Sequence, residues 1–131
     1  MPLRIGFSKE IYRGKTDYMF VFENEEQVKN IVANFQLIST LQCRGVIVTA
    51  KGNEVDFVSR FFAPKSGIDE DPVTGSAHTT LAPFWSKRLA KEELTAIQLS
   101  KRTGRLICRC VKDRVLITGK AITYMRGDIS I

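Results

Sequence analysis

A stiff acidic loop that leads directly into an apolar helix constrains the fold of this chain more than any other feature. Pro72 has a fixed φ and drives the preceding Asp71 into an extended conformation, so the Asp71 carboxylate is held on rigid backbone. Gly75 allows a close approach or a φ that other residues avoid, and Thr74 or Ser76 can cap the helix that follows. Because a helix start has unpaired N–H groups and a positive dipole end, the pattern predicts an anion site beside Asp71.

The helix after this loop is predicted to be buried. Residues 77–85 are small or apolar on every side, and polar character returns only at residues 86–88. A helix that is apolar all round normally lies in the core. Pro83 lies inside it and predicts a kink. We therefore expect a central helix that carries Asp71 and Ser76 to one edge of the domain.

Strands make up most of the remaining pattern, together with one surface helix at residues 24–40 that Asn24 caps. The last four predicted strands are separated only by short turns, so an antiparallel meander is expected. The chain is predicted to be a single α+β domain in which a curled, mostly antiparallel sheet wraps around the central helix. The predicted strands are residues 3–7, 18–22, 45–50, 55–62, 95–101, 105–112, 114–118 and 120–126.

Composition excludes several classes of protein. The chain has 131 residues, enough for one domain with a sizeable core, and three cysteines, an odd number that argues for reduced thiols. No apolar run approaches the roughly 20 residues of a membrane span, and no leader opens the sequence, so we expect a cytoplasmic protein without a membrane partner.

Metal and nucleic-acid binding are not expected either. Cys108 and Cys110 share one strand face, but His78 is the only histidine and there is no second cysteine pair, which leaves too few metal ligands. The net charge of +6 raises the question of nucleic acid, yet the lysines and arginines are scattered over the chain. A basic nucleic-acid-binding domain is therefore the least favoured of the functions considered.

Two segments in the middle of the chain resemble the signature of the PhzF family. They are residues 56–64, DFVSRFFAP, and residues 67–78, GIDEDPVTGSAH. Residues 13–18, 44–50 and 119–121 are also similar to that family, so the likeness spans nearly the whole chain. The family consists of phenazine-biosynthesis-like proteins with a diaminopimelate-epimerase-type fold.

The resemblance implies a two-lobed enzyme of which only the C-terminal lobe is present. Family members are about twice as long, and each of their two lobes is a sheet rolled around a helix. Their substrate lies between the two helix N-termini. Their main proton-transferring Glu and a Cys-Gly-His stretch belong to the other lobe, and no Cys-Gly-His occurs here. Asp71 therefore lacks a visible catalytic partner in this chain.

The expected function is a cofactor-independent isomerase half that moves a proton on, or epimerises, a small carboxylate. It would need a separate N-terminal lobe or a second copy of itself, and a homodimer that joins two motif edges is predicted. By resemblance, Asp71 and Ser76 are the candidate catalytic residues, and Thr74, Gly75, Ser76 and Ala77 are the candidate substrate-binding residues.

Several alternatives remain open. The chain can be a catalytically silent module that binds a small carboxylate, with Asp71 only a helix-entry cap and Gly75 only a turn residue. Ser76 and His78 do not form a nucleophile and base, because residues two apart in a helix do not face each other. His78 is predicted to be buried and hydrogen-bonded. Glu70 is either a second acid or, more often in such loops, a solvated charge.

Overall fold

The computed structural model describes residues 8–131 and shows an α+β fold with eight strands and three helices in that part of the chain. The strand predicted at residues 3–7 lies outside the described residues. In chain order the elements are β1 (Glu10–Arg13), β2 (Asp17–Val21), α1 (Glu25–Lys29), α2 (Phe35–Ser39), β3 (Gly45–Lys51), β4 (Phe57–Ala63), a 3-10 turn (Pro64–Ser66), β5 (Ile68–Glu70), α3 (Gly75–Leu89), β6 (Glu93–Gln98), β7 (Gly104–Val111) and β8 (Arg114–Thr118).

All eight strands belong to one sheet in the order β1-β2-β3-β4-β6-β7-β8, with β5 paired to β4. The β2–β3 and β4–β6 pairs are parallel and every other pair is antiparallel. The predicted hairpin of β3 and β4 is confirmed. The first three of the four strands in the predicted meander, β6, β7 and β8, are also confirmed. The sheet does not close, because β1 and β8 each pair on one side only among the described strands.

The sheet carries apolar side chains on both faces, and a different layer of helices covers each face. Along β2, Met19 and Val21 pack in the cluster around α3, whereas Phe20 packs in the cluster beneath α1 and α2. This alternation follows from the two-residue period of a strand. The sequence of such a strand is a continuous apolar run because both of its faces are buried.

Helix α3 is central, but the prediction that it is buried on every side is wrong. Leu81, Ala82 and Trp85 face the sheet and are buried, and the Trp85 indole Nε1 donates to Thr49 Oγ1 at 3.0 Å. The helix runs unbroken through Pro83. The sheet is open between β1 and β8, so it covers only part of the helix circumference. The exposed strip of α3 contains Gly75, Ser76, Thr79, Thr80 and Pro83.

The single helix predicted at residues 24–40 is instead two short helices. Asn24 and Asn34 each accept a backbone N–H at 3.0 Å from the first turn of α1 and α2, so only the first of the two caps was predicted. The guanidinium of Arg60, from β4, donates to the carbonyls of Val28 and Ile31 at 3.2 and 2.8 Å. Arg60 therefore satisfies carbonyls at the C-terminal end of α1 and in the turn that follows it.

The prediction of a strand at residues 120–126 is also wrong. Residues 119–131, which we call the tail, have no regular secondary structure and every one of them is exposed. Ile122, Tyr124 and Met125 are 94%, 100% and 80% exposed, respectively. The tail therefore does not fold back on β8 as a fourth strand of the meander.

Among the described helices, none is both long and apolar enough to cross a membrane. Cys43, Cys108 and Cys110 are free cysteines. Burial raises the pKa of the Cys108 thiol to about 11, so the thiol stays protonated near neutral pH. Within residues 8–131 no group of three or more histidine, cysteine or acidic side chains lies close enough to hold a metal ion.

Candidate active site

Asp71 lies directly after β5, at the point where the chain turns towards α3. Its backbone N–H donates to the Phe61 carbonyl of β4 at 3.0 Å, which fixes the main chain as an extension of the sheet. Its carboxylate Oδ2 accepts a hydrogen bond from the Thr74 hydroxyl. Asp71 is half-buried, so one side of the carboxylate is held and the other remains accessible.

Gln98 is the side chain that holds this loop together, and sequence reasoning missed it. It is fully buried on β6, 24 residues from Thr74 and 27 from Asp71. Its Oε1 accepts the Thr74 N–H at 2.8 Å, and its Nε2 donates to the Asp71 carbonyl at 2.8 Å and to Thr74 Oγ1 at 3.0 Å. The amide thus orients the Thr74 hydroxyl, which in turn donates to the Asp71 carboxylate.

Ser100 and Gly104 shape the loop from the other side. Ser100 Oγ donates to the Pro72 carbonyl at 2.8 Å. A Cβ added at Gly104 would lie 2.1 Å from Val73 Cγ2, so glycine is required for β7 to approach the loop. The loop between β5 and α3 is therefore fixed by contacts from β4, β6 and β7, as a rigid site requires.

Glu70 is not a solvated charge, contrary to the more favoured of the two sequence interpretations, and its role as a second acid stays a prediction. Arg60 Nε and Nη2 donate to its two carboxylate oxygens at 2.7 and 3.0 Å. The two side chains are 13% and 20% exposed, respectively. This bidentate ion pair anchors the residue immediately before Asp71 to β4.

The start of α3 exposes backbone N–H groups rather than covering them. Thr74 occupies the N-cap position, but its side chain makes no capping hydrogen bond because its hydroxyl donates to Asp71. Gly75 and Ser76 are exposed, whereas Ala77 is buried. Of the four predicted substrate-binding residues, Ala77 can therefore contribute its backbone only. A Cβ at Gly75 would meet nothing within 4 Å, so no described part of this chain requires a glycine there.

His78 is buried and hydrogen-bonded, as predicted. It is fully buried, and its Nδ1 lies 2.7 Å from the Thr74 carbonyl, which identifies Nδ1 as the protonated nitrogen. Burial lowers the pKa of His78, so the ring is neutral. His78 supports the first turn of α3 from inside, while Ser76 lies on the outer face.

Two cations lie beside the motif. Lys101 and Arg102 are exposed and line an open depression together with Glu70, Pro72 and Ser100. The anion-binding character of the helix start and these two cations favour a negatively charged ligand. A fixed carboxylate beside uncapped N–H groups can accept a proton from a bound acid while those groups stabilise its charge.

Comparison with known proteins identifies the family of this chain. A family model described as phenazine biosynthesis-like protein, PhzC-PhzF, matches residues 7–127. The chain belongs to the PhzC-PhzF family. It is 51% identical over 119 residues to an uncharacterised isomerase of Pseudomonas aeruginosa, covering 90% of this chain and 46% of that protein. It is 39% identical to a human phenazine biosynthesis-like domain-containing protein, covering 82% of this chain and 41% of that protein.

Solved structures of PhzF proteins share the fold. The Enterococcus faecalis protein is 45% identical with a TM-score of 0.87, covering 95% of this chain and 48% of that one. A putative PhzC/PhzF protein of Clostridium difficile is 40% identical with the same TM-score, covering 98% of this chain and 50% of that one. The chain thus spans less than half the length of the curated relatives it matches.

Proposed function

We propose that this chain forms one half of a PhzF-like isomerase site that shifts a proton on, or epimerises, a small carboxylate without a cofactor. The observation that carries the proposal is the Asp71 carboxylate, fixed by Thr74 beside the uncapped start of α3. The homology to uncharacterised isomerases supports the reaction class.

In this proposal the substrate carboxylate lies against the exposed start of α3. The N–H groups at Gly75 and Ser76, the Ser76 hydroxyl and the cations Lys101 and Arg102 offset its charge. Asp71 accepts the proton from the carbon next to the carboxylate and becomes a neutral acid. The electron pair left behind delocalises into the substrate carboxylate, where the N–H groups stabilise it, until a proton returns to carbon.

A second lobe is needed because the described half leaves the site open. Gly75 and Ser76 are exposed on the outer face of α3, where water weakens electrostatic interactions. We propose that a separate lobe or a second copy of this chain faces Asp71 and supplies the other acid–base group. A homodimer that joins two motif edges is the self-contained version of this arrangement.

A catalytically silent carboxylate-binding module is the second candidate. It is favoured by the same open geometry, because a half-walled site can retain binding after it has lost catalysis. In that case a panel of small carboxylates would raise the thermal midpoint of the chain, yet no exchange of carbon-bound protons would follow.

The test uses the half of the Pseudomonas aeruginosa relative that this chain does not match, which we call the complementary half. This chain is co-expressed with the complementary half and incubated with small carboxylates in D2O, and deuterium incorporation at carbon is followed by NMR. We expect incorporation with the complex and much less with either half alone. A complex that binds carboxylates but never exchanges a proton contradicts the isomerase and supports the silent module.

A further inference from the structure

Two buried polar atoms beneath α3 have no hydrogen-bond partner among residues 8–131. They are Oγ of Ser59, on β4, and Nε2 of His78, in the first turn of α3. Ser59 is 2% exposed and His78 is fully buried. Because an unpaired polar atom in a protein interior costs free energy, nearly all such atoms bind another protein group or an ordered water. These two atoms therefore require a polar partner.

The fold places Ser59 close to His78 both along its strand and across the sheet. Ser59 lies on the same face of β4 as Phe57, whose ring centroid is 5.9 Å from that of His78. In the neighbouring strand β6, Ser59 is paired with Gln98, whose side chain bonds to Thr74. His78 Nδ1 lies 2.7 Å from the carbonyl of the same Thr74. Ser59 Oγ and His78 Nε2 thus face one layer between the sheet and α3.

The hydrogen-bond roles of the two atoms are complementary. His78 Nδ1 carries the ring proton, because it donates to the Thr74 carbonyl, so Nε2 of the neutral ring can only accept. The Ser59 hydroxyl can donate, but the two atoms do not bond to each other directly. A water molecule can accept from Ser59 Oγ and donate to Nε2 at the same time. Gln98 Oε1 accepts the Thr74 N–H and has a second lone pair for the other water proton. Three hydrogen bonds are typical of a buried water.

We propose that one buried water molecule bridges Ser59 Oγ and His78 Nε2, and that this bridge positions the Asp71 carboxylate through Thr74. The water holds the His78 ring, and Nδ1 of that ring holds the Thr74 carbonyl. The Thr74 hydroxyl then donates to the Asp71 carboxylate. Since Ser59 and His78 are both buried, neither contacts a substrate, and both are positioning residues. The inference deepens the proposed function and rests on it for the role of Asp71 alone.

The test replaces Ser59 by two residues of nearly equal shape. Threonine and valine are both β-branched and differ by a hydroxyl against a methyl, so S59T and S59V place similar strain on the core. S59T keeps a group that can donate to the water, and S59V does not. As matched controls, S130T and S130V make the same changes at Ser130, which is exposed. Because His78 is the only histidine, a chain with 15N-labelled histidine gives the signals of a single ring.

NMR of the free chain supplies the first readout. In the parent and in S59T we expect the Nε2 signal of a hydrogen-bonded nitrogen, and a cross-peak between a His78 ring C–H and a long-lived water. Both should be lost in S59V, whereas S130V should match the parent. Absence of the water cross-peak in the parent overturns the inference, and so do identical ring spectra for S59T and S59V. If neither variant folds, the parent spectrum decides alone.

Thermal unfolding supplies the second readout. S59V leaves His78 Nε2 without its partner, so we expect its Tm to lie about 4 °C or more below that of S59T. S130T and S130V should have equal midpoints, because both changes are exposed. An S59V midpoint equal to that of S59T overturns the inference.

The positioning role is measured in the complex with the complementary half. We expect deuterium incorporation to be on the order of tenfold slower with S59V than with S59T, because Asp71 loses its fixed orientation. Equal rates overturn the positioning of Asp71 by the bridge. A parent complex that shows the water cross-peak but exchanges no proton contradicts the proposed function alone. A parent complex that exchanges protons without the cross-peak contradicts the water bridge alone.

Discussion

At the scale of single residues, the site depends on the way Gln98 satisfies the backbone around Asp71. An amide side chain can accept and donate at once, so Gln98 takes the Thr74 N–H and also donates to the Asp71 carbonyl. The motif itself was evident from sequence because Asp71, Thr74 and Gly75 are neighbours in the chain. Gln98 was not, because its partners lie more than 20 residues away. The available signal was a polar residue at an inward position of β6, in step with the buried Leu94 and Ala96.

Replacing Gln98 should destabilise the fold. Q98A leaves the buried Thr74 N–H and the half-buried Asp71 carbonyl without their partner, and we expect the free energy of unfolding to fall by about 2–3 kcal/mol. Urea denaturation measures this, with Q36A on the exposed side of α2 as the control. Equal midpoints for the two variants would show that Gln98 does not hold the loop.

His78 should make the stability fall as the pH decreases below 6.5, its ordinary pKa. Burial lowers its pKa in the folded state, so the unfolded chain binds the proton first as the pH falls below the ordinary value of 6.5. The contribution is fully present above that value and is lost as the pH decreases. Urea midpoints across this range measure the slope, and because His78 is the only histidine, H78Q should reduce it. A slope that H78Q leaves intact contradicts the assignment.

The two glycines at the site should respond to alanine in opposite directions. Gly75 has space for a Cβ and a φ outside the left-handed range, so G75A should stabilise the chain by about 0.5 kcal/mol through a less flexible unfolded state. At Gly104 the new Cβ would overlap Val73, so G104A should destabilise it. Thermal unfolding separates the two, and a destabilised G75A would show that the helix start is already packed.

At the scale of elements, most of the sheet was predictable because strand runs and turn residues are local signals. The β3–β4 hairpin and the β6–β7–β8 meander were predicted for this reason. The division of residues 24–40 into α1 and α2 was not predicted, and the guanidinium that bonds to the carbonyls at the end of α1 comes from β4, about 30 residues along the chain. Arg60 both bonds to the Val28 and Ile31 carbonyls and pairs with Glu70, so it links the helical layer to the residue before Asp71.

Removing Arg60 should therefore loosen both elements. R60M leaves Glu70 partly buried without its cation, and we expect a loss of about 3 kcal/mol in the free energy of unfolding. K9M, which removes the exposed Lys9–Glu23 pair, should leave the midpoint unchanged. If R60M/E70M is as destabilised as R60M alone, the unpaired Glu70 charge is not the cause of the loss.

At the scale of the whole molecule, three features have one explanation in common. They are the exposed strip of α3, the open sheet edges and the tail. The sequence predicted a helix buried on all sides and a fourth strand in the meander because both segments are apolar. Apolar residues do report burial, but a sequence does not say whether the cover comes from the same chain. Both prediction errors are explained if another lobe covers part of the apolar surface of this chain.

The most direct test of the account is the rate of deuterium incorporation into a small carboxylate by the complex with the complementary half, compared between D71N and D69N. Asp69 lies in β5 two residues before Asp71, carries the same charge and is exposed, so its variant controls for the local charge. We predict that D69N retains the parental rate and that D71N lowers it by a factor of about 100 or more while the complex still forms. Equal rates for D71N and D69N would contradict the assignment of Asp71 as the group that moves the proton.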